Sequence, residues 1–245
     1  MIRVSWESPS IMVITLDRPE RRNAVDLPSL EAILAALEQA RRPDDPARVI
    51  ALTGTPPAFC AGADLSGVEN DVFVRALQSV LTGFTELPIP VIGAVDGPAL
   101  GAGTQLASVC DLRVATSRSR FGIPAAKLGI AVDQWTANRV AQEFTPPIAR
   151  AMLLAAETFD GERLHDAGVV HRIGGFDEAM NWAREVAALA PMTIATHKLA
   201  LERNAPPPSR DPEVVATWHA AWESDDAAEG RTAFAEKRTP NFSGR

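Results

Sequence analysis

Two glycine-rich segments place backbone N–H groups where a ligand could approach them. The first is Phe59-Cys60-Ala61-Gly62-Ala63-Asp64-Leu65 and the second is Gly97-Pro98-Ala99-Leu100-Gly101-Ala102-Gly103-Thr104-Gln105-Leu106. Small residues let a ligand come close to the main chain, and Asp64 is placed to cap a short helix. In the second segment Gly101-Ala102-Gly103 opens a helical pattern, so its first N–H groups have no partner inside the helix and carry the positive end of its dipole. Two such donors converging on one carbonyl oxygen would stabilise an enolate or another developing oxyanion. Taken singly, each segment reads equally well as a tight turn without a ligand.

Other residues with chemical potential are few. Asp133, in Leu128-Gly129-Ile130-Ala131-Val132-Asp133-Gln134-Trp135, could move a proton between two carbons of a ligand, and it is equally suited to cap the helix that begins near Trp135. Trp135 reads as a pocket wall or a core aromatic. Cys60 and Cys110 read as small core residues. His165, His171, His197 and His219 all lie in the last third, without metal-ligand spacing, so no metal site is expected. Asp64, Glu69 and Asp71 are explained by helix capping or a solvated face.

The elements that must position these groups alternate. Ile11–Leu16, Arg48–Gly54, Pro90–Gly97 and Asp111–Ala115 are short apolar runs and read as buried strands. Apolar residues at helical spacing predict helices over 27–41 and 69–86. This order implies βαβ units and mostly parallel pairing. From about 135 the pattern is helical, at 135–143, 147–156, 178–190 and 193–204. Ala205-Pro206-Pro207-Pro208-Ser209 reads as a short stiff linker before helices at about 212–223 and 225–236. The expected division is an α/β core over 1–190 and a helical extension over 191–245.

Composition narrows the class. A net charge of −7 and a pI near 5.2 argue against nucleic acid or an anionic membrane as a partner. Apolar residues make up 46%, as in a folded globular protein, and no window reaches the roughly 18 apolar residues of a membrane span. The start lacks a basic stretch followed by an apolar one, so the cytoplasm is the expected compartment.

Taken together, the two loops make the chain resemble the enoyl-CoA hydratase/isomerase (crotonase) superfamily. The likeness begins at Leu16-Asp17-Arg18-Pro19-Glu20-Arg21-Arg22-Asn23-Ala24 and continues through Phe59–Leu65 and Ala94–Leu106. It resumes at Cys110–Ala115, at Phe121-Gly122-Ile123-Pro124 and at Phe234-Ala235-Glu236-Lys237-Arg238. The resemblance implies an α/β spiral of ββα units (the ClpP/crotonase-like fold) and a helical C-terminal extension that forms trimers, often paired into hexamers. It also implies an acyl-CoA or enoyl-CoA thioester as ligand, with coenzyme A part of that ligand and no separate cofactor. Trp218, Trp222 and Phe234 would suit burial in such an assembly.

Carried over residue by residue, the resemblance assigns the oxyanion-hole N–H groups to Ala63 and Ala102. It lines the ligand groove with Arg22, Ala24, Ala61, Gly62, Asp64, Leu65, Gly101 and Trp135, and brings Phe234 and Lys237 to the acyl and phosphate ends. The two catalytic glutamates of the family fall on Gln105 and Ala125. Glutamine exchanges no proton near neutral pH and alanine has none to exchange. The chain therefore looks similar to an actinobacterial branch that lacks both glutamates. Acyl-CoA binding without ordinary hydration is the expectation, with a double-bond isomerase using Asp133 as the alternative.

Overall fold

The computed structural model describes residues 1–42, 46–64, 71–128, 130–203, 212, 213, 216, 220 and 223–245, without the side chains of Asp71, Arg231, Phe234 and Ala235. Leu65, Glu69, Trp218, Trp222, the side chain of Phe234, the linker at 205–209 and most of the helix expected at 212–223 lie outside this description.

Among the described residues, one sheet has six strands. These are β1 (Ile2–Ser8), β2 (Ile11–Leu16), β3 (Val49–Gly54), β4 (Val91–Val95), β6 (Leu112–Ala115) and β9 (Arg172–Ile173), adjacent in that order. β1 runs antiparallel to β2, and every later pair is parallel. A second sheet holds three short strands, β5 (Pro98–Leu100), β7 (Arg120–Gly122) and β8 (Thr158–Asp160).

β2, β3 and β4 are buried along their whole length, which is why they read as continuous apolar runs. On one face Met12, Ile14, Leu16, Ile50 and Leu52 join the main core with α1 (Leu27–Ala40) and α2 (Asp71–Thr85). On the other face Ile11, Val13, Val49, Ala51, Ile92 and Ala94 pack under α7 (Phe176–Ala187) through Ala179, Met180 and Ala183. α1 starts where Asp26 accepts the Ser29 N–H and Pro28 fills the first turn, a favoured helix beginning.

The remaining helices are α3 (Ala102–Ser108), α4 (Gln134–Glu143), α5 (Pro146–Leu154), α6 (Gly161–Asp166), α8 (Pro191–Arg203) and α9 (Asp225–Glu236). α8 is tied down by Lys198, whose ammonium is buried and donates to the carbonyls of Phe84 and Ile89 and to Asp111 at 2.8 Å. The chain end folds back on α9, where Asp226 accepts the N–H groups of Ser243 and Gly244. No helix of the described residues is long and apolar enough to cross a membrane.

Candidate functional site

The two glycine-rich loops are zipped together by main-chain bonds. The Cys60 N–H donates to Pro98 O at 3.0 Å and the Leu100 N–H to Cys60 O at 2.9 Å, an isolated parallel bridge between Cys60 and Ala99. The first loop is pinned on its other side, where Ala61 donates to Arg22 O, Val25 to Gly62 O and Asp64 to Val25 O. Gly62 takes a φ of 124° that a side chain would oppose. Gly103 is needed for proximity: a Cβ there would sit 2.1 Å from Cys60 O, so any side chain would push the loops apart.

The start of α3 is fixed by Thr104, a residue that no sequence pattern singles out. Its buried hydroxyl lies 2.6 Å from Ala99 O, and 2.9 Å from both the carbonyl and the N–H of Gly122. Asn23 does the same for the first loop. It is buried, and its carboxamide accepts the Arg18 N–H and donates to Thr55 O and Ala58 O.

Within this frame, and among the described residues, the N–H groups of Ala63 and Ala102 have no acceptor, while the neighbouring N–H groups of Ala61, Asp64, Gly101 and Gln105 are all bonded. Both alanines border one cavity of about 470 Å³, within the range of small-molecule sites. α3 spans only Ala102–Ser108, so the donor is the N–H itself more than the field of a long helix. The arrangement is chemically suited to hold a carbonyl oxygen or an oxyanion at two donors.

The cavity wall is mostly apolar: Phe73, Leu77 and Leu81 of α2, together with Leu100 and Ile123, meet Gln105, Ala125 and Asp133. Gln105 is 8% exposed, and among the described residues its carboxamide has no hydrogen-bond partner, so it faces the cavity with donor and acceptor both free. Ala125 presents a methyl group. Asp133 lines the cavity and also caps α4, its oxygens accepting the Thr136 N–H at 2.8 Å and the Thr136 hydroxyl at 3.1 Å. The capping and cavity positions expected of Asp133 therefore coexist in one side chain.

Ala61, Gly62 and Gly101 border the same cavity. Arg22 and Ala24 serve through their main chain, as acceptors for Ala61 and for the Arg18 guanidinium. The carboxylate of Asp64 faces Arg18 at 3.2 Å, and Arg18 also pairs with Asp26 at 2.8 Å. Trp135 is elsewhere, packed against the main core and bordering a separate groove with Arg139 and Glu202. Lys237 is exposed and does not border the cavity. Burial pushes the thiols of Cys60 and Cys110 up to about 12, which leaves both unreactive near neutral pH. Among the described residues no group of His, Cys, Asp and Glu is placed to hold a metal ion.

With this geometry in place, the likeness to known proteins has a structural meaning. The enoyl-CoA hydratase/isomerase family model matches residues 7–245. A protein described as "probable enoyl-CoA hydratase" in Mycobacterium leprae is 40% identical over 244 residues, covering 97% of this chain and 98% of its own. The crystal structure of an enoyl-CoA hydratase/carnithine racemase from Magnetospirillum magneticum superposes with a TM-score of 0.91 at 27% identity, covering 100% of this chain and 96% of that one. An enoyl-CoA hydratase structure from Mycobacterium marinum gives 0.88 at 31% identity, covering 100% and 99%.

Proposed function

Because the chain belongs to the enoyl-CoA hydratase/isomerase family, we propose that it binds acyl-CoA or enoyl-CoA thioesters, holds the thioester carbonyl between the N–H groups of Ala63 and Ala102, and does not hydrate it. One observation carries this reading. Ala63 and Ala102, whose N–H groups have no acceptor among the described residues, border a mostly apolar cavity together with Gln105, a carboxamide, and Ala125, a methyl group, the residues on which the resemblance places the two glutamates. Hydration needs a water activated on one side of the double bond and a proton delivered on the other. Gln105 can orient a water but cannot take its proton, and Ala125 can do neither.

Asp133 supports a second reading, double-bond isomerisation, because it borders the cavity and a single carboxylate can carry a proton from one carbon to another. Its two oxygens already accept from Thr136, which favours capping as its main duty.

The test is titration calorimetry with saturated and trans-2-enoyl-CoA, beside an assay of enoyl absorbance. Binding with no loss of the enoyl chromophore and no double-bond migration is the expected outcome. Rapid hydration would overturn the reading, and migration abolished by Asp133→Asn would replace it with the isomerase.

A further inference from the structure

The same cavity specifies the acyl group, an inference that rests on the acyl-thioester reading. Its walls carry no cation among the described residues, and Asp133 is the one ionisable side chain that borders it. Arg18, which pairs with Asp64 at the first loop, is already shared between Asp26, Asp64 and Ala24 O. A carboxylate on the acyl chain would enter without a partner and meet a like charge, which is costly in an apolar site.

The cavity is also open on an apolar side. Phe73, Leu81 and Ile123 are buried, but Val74 is 51%, Leu128 55% and Ile130 49% exposed, although all three border the cavity. Large exposed apolar side chains grouped at a cavity mouth are unusual on a soluble protein and mark a surface that a partner or ligand covers. They come from two separate elements, α2 and the segment around the Pro124–Leu128 turn, so they form two sides of one rim. The occupant that this rim would share with the cavity is the acyl thioester proposed for it.

We propose that the site takes uncharged acyl chains longer than the cavity, with the far end of the chain running out over Val74, Leu128 and Ile130. Short acyl groups would then use only the buried floor. Dicarboxylyl groups would be rejected.

Calorimetry with butyryl-, pentanoyl-, octanoyl-, dodecanoyl- and glutaryl-CoA, each below its aggregation concentration, tests this on the whole chain. Affinity is expected to rise by about fourfold for each methylene buried, and to keep rising between octanoyl and dodecanoyl. Glutaryl-CoA is expected to bind about a hundredfold more weakly than pentanoyl-CoA. In the surface double variant Leu128→Ser/Ile130→Ser, dodecanoyl-CoA should lose about tenfold more affinity than butyryl-CoA. An affinity that levels off by octanoyl, equal losses for short and long chains, or glutaryl binding as tight as pentanoyl would each overturn the proposal. A rim that serves a second copy instead would change the oligomeric mass of the double variant and leave the chain-length profile alone. Failure of every acyl-CoA in the series to bind would mark failure of the acyl-thioester reading itself.

Discussion

At the scale of single residues, the proposed distinction between a binding site and a hydratase rests on two side chains. Gln105 differs from glutamate by one amide, and the cavity already holds its shape. Ala125 is partly buried against the core and leaves space where a longer side chain would reach the ligand. The double variant Gln105→Glu/Ala125→Glu is therefore expected to gain measurable hydration of crotonyl-CoA, because it supplies both a base for the water and an acid for the carbon. Each single variant should fall short of the double by about 10²-fold or more, since one positioned acid–base group contributes about 10²–10⁴-fold. Loss of enoyl absorbance measures it, and a parent chain that hydrates as fast as the double variant would sink the argument. That Gln105 and Ala125 would meet at one cavity was legible in the sequence, because both sit at fixed offsets inside recognisable motifs. Of the two readings of Trp135, pocket wall and core aromatic, the second is the one the structure shows. Asp133 caps α4 from extended backbone and borders the cavity, whereas Trp135 lies inside the first turn of the helix and borders a separate groove.

At the scale of elements, the long buried strands and amphipathic helices followed from apolar pattern alone, while the parts that build the site did not. β5, β7 and β8 have three residues each, too few to show any periodicity, yet β5 and β7 anchor the start of α3 through Thr104 and Gly122. β1 alternates Ile2, Val4 and Trp6 with Arg3, Ser5, Glu7 and Ser8, the period-2 pattern of a half-exposed strand, which a search for apolar runs passes over. Polar anchors such as Asn23 are equally silent, since a buried carboxamide and an exposed one read alike in a sequence. α9 offers a similar case with a pH signature. Glu229 accepts two bonds from Arg238, at 2.6 and 2.8 Å, and one from the Asn241 N–H, which together lower its carboxyl from 4.5 to about 2. Its folded value lies below its unfolded one, so its contribution is complete above about 4.5 and is lost as pH falls toward 2. The protection factor of the Asn241 amide, its exchange relative to an unstructured amide at the same pH, should accordingly fall across that window. Glu229→Gln should leave that amide poorly protected at every pH, and equal protection of both forms at pH 6 would refute the anchor.

At the scale of the whole molecule, the described part of the C-terminal region is held to the α/β core by an ion pair rather than by apolar surface alone. Lys198 of α8 reaches between the end of α2 and the start of β4 and gives its three donors to Phe84 O, Ile89 O and Asp111. Asp111 in turn accepts the Val91 N–H at 2.7 Å, so one carboxylate links α8 to the first residue of a central strand. The Lys198 side chain is only 5% exposed and that of Asp111 21%. Removing one partner of such a pair leaves the other charged and poorly solvated, which typically costs about 3–5 kcal/mol, whereas removing both costs far less. Lys198→Met should lower the midpoint of urea unfolding by that amount of stability, and Lys198→Met/Asp111→Asn should recover much of it. The recovery is what separates a charge-based clamp from simple packing, since a packing loss at Lys198 would persist or deepen when Asp111 is changed as well. The same pair lies next to Leu81 and Phe84 at the end of α2, and Leu81 is in the cavity floor. A clamp that fixes α2 should therefore also tighten the ligand. Lys198→Met is expected to weaken dodecanoyl-CoA in calorimetry even where the folded fraction is complete, and an affinity equal to the parent's would confine the clamp to stability.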